Sequence, residues 1–310
     1  MCGSLDTYQT EHFCLLNQRG NLMHKTILAS AVILAFAHTA IAAEVIYGND
    51  SSIKTGSVTQ DTVVNVTKES LTSSDGYVQA ATGTQEEVNE GVTLTINTAD
   101  RFIGVLAGSN ATYTNNGKII VNGDAANYWK IKAMVAAGGT IENANTIDVT
   151  NAYGMQGTAS LGGTIINSGT IIVRENAVAI DGDANIGKGA STSTENKGTI
   201  DLKDETSIGV LIGRGDNFTN SGTISGSEGI AVLVTTKTDE GSPSEPVSIK
   251  LSGNSRVEGI FDLTDYSNIT VTEDAIHQTV RLADDAGDIS NNSSLTIEQA
   301  DPSVGLEIAS

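Results

Sequence analysis

The chain has 310 residues, a formal net charge of −20, 17% charged and 4% aromatic residues, 33 glycines and only 3 prolines. Such an acid excess opposes nucleic acid and anionic membrane surfaces, because phosphate binding needs clustered Lys and Arg. Few charges and aromatics, with many β-branched residues and turn formers, suit numerous short strands rather than helices, so the expected class is all-β.

Residues 1–22 fit no export signal and are read as translated leader, with Met23 the true start; a genuine N-terminal extension is the alternative. Met23-His24-Lys25 is a short basic stretch, Ile27 to Ala37 an apolar one, and Ala40-Ile41-Ala42 a small-residue cleavage pattern. Residues 23–43 are therefore expected to be a Sec-type signal peptide, with cleavage marked by Ala40, Ala42 and Ala43. The apolar run is too short to span a bilayer. Both cysteines, Cys2 and Cys14, precede it, so the exported chain would hold no disulfide, thiolate metal site or cysteine nucleophile.

Residues 44–90 are expected to form an N-terminal cap and first coils, and 91–310 a run of repeats. A motif Asn-x-Gly-x-Ile-x-Val begins at Asn115-Asn116-Gly117-Lys118-Ile119-Ile120-Val121 and recurs, with small drift, from Asn143, Asn167, Asn196 and Asn220. These leading asparagines are 28, 24, 29 and 24 residues apart, and a weaker copy runs from Asn291 to Ile297. Between them lies a second element, a short apolar strand ending at glycine, as in Ile103-Gly104-Val105-Leu106-Ala107-Gly108, Ala177 to Gly182 and Ile208 to Gly213. Looser versions occur at Met134 to Gly138 and Ile230 to Val234.

Alternation of Ile and Val turns one face of each strand inward. Asn-x-Gly supplies residues tolerant of left-handed backbone at the corners. One period cannot close a core, but coils stacked at about 4.8 Å pair their backbones above and below, and asparagines at equivalent corners can form side-chain ladders. The expected fold is thus a parallel β-solenoid, a right-handed β-helix, of about 25 residues per coil. A β-sandwich or propeller is the runner-up; propeller repeats are longer, about 40 residues, and four-stranded. Residues 239–246 read as a loop extruded at one corner.

Asn-Ser-Gly-Thr-Ile copies behind a signal peptide, over about residues 90–300, resemble the β-helical passenger domains of autotransporters of Gram-negative bacteria. That resemblance implies an exported virulence-associated surface protein, an adhesin or other interaction protein, whose partners are a host receptor or surface glycan and an outer-membrane translocation barrel. No succession of lipid-facing alternating strands follows the repeats in this chain. The expected location is the cell surface if joined to a barrel and the periplasm otherwise.

Arg214-Gly215-Asp216 sits between two strands and is read as an exposed corner of the form integrins recognise, with an ordinary turn as the alternative. Asp181-Gly182-Asp183 and Asp284-Asp285 are the best carboxylate pairs for a polysaccharide lyase or glycoside hydrolase, the rival function; a polar turn accounts for either. A disrupted gene product with no independent role is a second rival. His277 is the only histidine beyond residue 43, which leaves no zinc or Cys-His site to argue. Trp129 beside Tyr128 is read as capping a core or covering a coil edge, with stacking on a sugar as the alternative. The reading is non-enzymatic, with no catalytic residue, cofactor or metal.

Overall fold

The computed structural model describes residues 42–48, 53–67, 75–158, 160–182, 192–213, 216–226, 229–234, 247–252, 255–262, 268–273, 279–282 and 294–299. From Ala43 onward they form one unit, a parallel β-solenoid in which every strand of a coil pairs with the equivalent strand of the coils before and after it. The only described helical element is one 3-10 turn, Tyr128–Lys130.

Three faces run along the stack. Face 1 carries the second half of the Asn-x-Gly motif, for example Lys118–Asn122, Thr146–Thr150, Thr170–Arg174 and Thr199–Leu202. Face 2 carries the apolar element, as in Phe102–Ala107, Ile131–Ala136, Tyr153–Gly157, Val178–Asp181 and Ile208–Ile212. Face 3, which ends at the leading asparagine, includes Thr112–Asn115, Thr140–Asn143, Gly163–Asn167, Thr192–Asn196 and Asn217–Asn220. Each period therefore holds three strands, one more than the two motifs that the sequence displays. Arg256–Asp262 continues from face 1 directly into face 2 without a corner.

In-register pairing puts like over like. Leu94, Ile119, Ile147, Ile171, Ile200, Ile224 and Val257 make one buried column inside face 1. Val105, Met134, Met155, Ile180, Val210 and Val232 make another inside face 2. At about 25 cal/mol per Å² of apolar area, such columns are the main favourable term, and none closes within a single coil.

The leading asparagines point inward and are fully buried. Their amides form a continuous ladder: the Asn115 Nδ2 donates to Asn143 Oδ1 at 2.8 Å, Asn143 to Asn167 at 2.8 Å, Asn167 to Asn196 at 2.7 Å and Asn196 to Asn220 at 2.6 Å. Ser255 Oγ receives the last amide at 2.6 Å. A second, exposed ladder links Asn122 to Asn97 and Asn97 to Asn65, each at 2.8 Å, on face 1.

The motif glycines serve a different purpose from the one expected. Left-handed backbone occurs at glycines such as Gly83, Gly91 and Gly138, and at Asn110, Asn151 and Glu175, but not at Gly117, Gly169, Gly198 or Gly222. At those four, a Cβ would lie 2.2 Å from Val92 O, 2.0 Å from Asn145 O, 2.0 Å from Gly169 O and 2.1 Å from Gly198 O respectively. Glycine is required there because successive coils approach backbone to backbone, not because of φ.

Replacing Asn167 by Ala strands the Asn143 amide and the Asn196 carbonyl in the interior, so it should cost about 2–4 kcal/mol. Asn122→Ala in the exposed ladder should stay within about 0.5 kcal/mol. Urea unfolding of both variants against the parent checks the contrast.

Candidate functional site

The outward side of face 2 differs from that of its neighbours. One outward column reads Ile103, Lys132, Tyr153, Val178, Ile208 and Ile230 along successive coils, and the adjacent one reads Leu106, Val135, Gln156, Asp181, Leu211 and Leu233. Ile103, Val135, Tyr153 and Val178 are buried although they stand outside the inner core cluster. Into this apolar surface are set Lys132, Gln156 and Asp181, on three consecutive coils.

Hydrogen bonds and charge connect the three. Gln156 Nε2 donates to Asp181 Oδ2, whose carboxylate is buried. Burial pushes the Lys132 ammonium down to about 8; the negative charge of Asp181 opposes that shift and Arg101 adds to it. Lys132 Nζ donates to the Trp129 carbonyl at 2.9 Å and lies 5.8 Å from the Tyr153 ring centroid. Tyr128 and Tyr153 meet with centroids 6.2 Å apart.

Trp129 stands on the loop leading from face 1 to face 2. Asp124 Oδ1 accepts the Ala126 N–H at 2.9 Å, and Asn127 Nδ2 donates to the Ala99 carbonyl at 3.0 Å, fastening the loop to the coil before it. Trp129 is 50% exposed, with the Lys130 ammonium 4.8 Å from the ring centroid. Lys130 is held by Asn127 Oδ1 at 2.9 Å. Pairing of Phe102 with Ile131 sets Arg101 one coil away from Lys130, at the same corner.

Comparison with family profiles, curated proteins and solved structures finds no match. The reading of the site therefore rests on the chemistry of these residues.

The other residues singled out in the sequence fall elsewhere. Arg214 and Gly215 lie outside the described residues, as do Ala40, Asp183, His277 and the Asp284-Asp285 pair. Asp216 is not displayed at an exposed corner: it is fully buried, accepting the Thr192 N–H at 3.0 Å and the Gly213 N–H at 3.1 Å. A chain corner needs its backbone donors satisfied, and the carboxylate turns inward to do so. Ala42 precedes, and Ala43 opens, the first described strand, Ala43–Tyr47. An open recess at the corner between faces 3 and 1 is lined by Glu87, Asn89, Glu90, Asn116, Ala144 and Asn145, and Asn116 Nδ2 donates to Glu87 Oε2 there at 2.5 Å.

Sequence reasoning found Trp129, Tyr128 and Asp181 but missed Lys132, Gln156, Lys130 and Arg101. A signal for Lys132 existed. Aligned on Ile103-Gly104-Val105, the segment Lys132-Ala133-Met134 puts a charge where the other copies are apolar.

Burial raises the Asp216 carboxyl to about 7; the Thr192 and Gly213 N–H groups pull it down, and the nearby Asp181 charge adds to the rise. A carboxyl raised on folding holds its proton longer in the native state. Its contribution to stability is complete below the unfolded value, near 3.9, and is lost as pH rises through about 7. The urea midpoint should therefore fall between pH 5 and pH 8, and the drop should be smaller in Asp216→Asn, whose side chain stays neutral throughout.

Proposed function

We propose that this β-solenoid is an exported, surface-presented binding protein, the passenger part of an autotransporter-like system built as a right-handed coil, and that it acts by adhesion rather than by catalysis. The observation that carries the reading is a division of labour along the stack. The recurring asparagines, glycines and Ile/Val columns point inward or into the inter-coil contacts, while outward positions on one face change from coil to coil. Such a scaffold tolerates outward variation without losing its coil, which suits presentation of a binding surface. The Sec-type signal reading of residues 23–43 supports export, and a host receptor or surface glycan and a separate translocation barrel are the partners that this reading implies.

The rival, polysaccharide cleavage, draws on the buried Asp181 carboxylate and the Lys132 ammonium. Purified protein coated on a surface should retain host cells or glycan-coated beads and leave the polysaccharide chain length unchanged over hours. Depolymerisation that disappears in Asp181→Asn would replace adhesion by enzymatic action.

A further inference from the structure

Resting on the reading of the chain as an exported and processed protein, we propose that the open edge of its first strand, Ala43–Tyr47, is a self-association surface on which a second copy of the chain docks head to head about a two-fold axis. Among the described residues this strand pairs with Thr62–Val66 alone. The Ala43 N–H donates to the Asp61 carbonyl at 2.7 Å, and the Tyr47 carbonyl accepts the Thr67 N–H at 3.0 Å. Backbone groups alternate in direction along a strand, so those of Ala43, Val45 and Tyr47 face the next coil while those of Glu44 and Ile46 face the open edge. Cleavage after Ala42 would make Ala43 the first residue, leaving no earlier part of the same chain to take them.

The other two faces of this coil offer no comparable edge among the described residues. Face 2 begins with Lys54–Thr55, two residues long and exposed, and face 3 with an isolated bridge from Val58 to Val88. Short strands and edge lysines are means by which sheets discourage further pairing. Ala43–Tyr47 instead has five residues with neither lysine nor proline, and it leaves the Ile46 side chain 65% exposed.

The occupant that fits is the same strand of a second copy. One inner column of face 1 runs Val45, Val64, Ile96, Val121, Val149 and Val173, and every member but the first is buried, whereas Val45 is only partly covered. Antiparallel pairing about an axis through Val45 sets it against Val45 of the second copy and continues the column across the junction. In that register Glu44 of one copy stands opposite Ile46 of the other, so both open residues enter hydrogen-bonded pairs and no two carboxylates face each other. Glu44 is held on the outward side by the Asn65 amide at 3.0 Å. The pairing presents every outward position twice, which gives an adhesive protein avidity without a new receptor contact.

The exported protein, its N-terminus read by mass spectrometry, should sediment as a dimer at about 100 µM, and more completely in about 0.5 M salt because the acidic copies repel one another. Ile46→Lys should weaken association about tenfold or more and leave the urea midpoint unchanged when both proteins are measured as monomers. Cys2 and Cys14 both precede Ala43, so an introduced cysteine is the only thiol of the processed chain. Val45→Cys should form an intermolecular disulfide on mild oxidation, since residues on the axis lie about 4.5 Å apart, whereas Ile46→Cys, displaced from its own copy by about two residues, should not. A chain cleaved at Ala43 that stays monomeric, or a dimer that ignores Ile46→Lys or is not linked through Val45→Cys, overturns the interface and leaves export standing. An uncleaved chain that dimerises through Val45→Cys keeps the interface and removes the cleavage reading; an uncleaved monomer removes both.

Discussion

Backbone-to-backbone stacking of coils in strict register is the constraint on which the remaining structure depends. Each coil spends its strand N–H and C=O groups on the coils before and after it, so no coil is stable alone. The buried asparagine ladder from Asn115 to Asn220 enforces the register, because an amide displaced by one residue would leave both a donor and an acceptor unpaired in the interior. The glycines at Gly169, Gly198 and Gly222 let successive corners come close enough for that ladder to form.

Variation is confined to corners for the same reason. Ladder asparagines 24 residues apart mark short coils, and the 28-residue interval from Asn115 to Asn143 accommodates the loop bearing Trp129 without shifting any pairing. An insertion at a corner costs little more than loop closure, whereas one inside a strand would turn every following side chain to the wrong face. The loop around Trp129 is thus where this fold can add chemistry most cheaply.

Face 2 shows how the scaffold and a site coexist. Its inner column from Val105 to Val232 is uniformly apolar, whereas its outer columns mix apolar residues with Thr55, Gln79, Lys132, Gln156, Asp181 and Asp262. Setting a lysine in such surroundings lowers its pKa to about 8, so the position carries an electrostatic cost that its hydrogen bond to Trp129 partly offsets. The buried Asp216 shows the opposite balance. There the carboxylate satisfies corner N–H groups, and the tripeptide that reads as a receptor motif loses its acidic member to the interior.

The sequence by itself determined the solenoid, because period, alternation and asparagine spacing are local features that only in-register stacking satisfies together. It also showed the ladder residues and the apolar elements of face 2. Three things were decided by the tertiary structure alone. Face 3 was hidden because strands such as Thr192–Asn196, with two threonines and an asparagine inward, carry little apolar signal. The role of the motif glycines depends on carbonyls about 24–29 residues away in sequence, at distances no local pattern encodes. The grouping of Lys132, Gln156 and Asp181 arises only when three coils are laid side by side, since it is set by the stacking of coils, whereas Trp129 and Lys132 are neighbours along the chain.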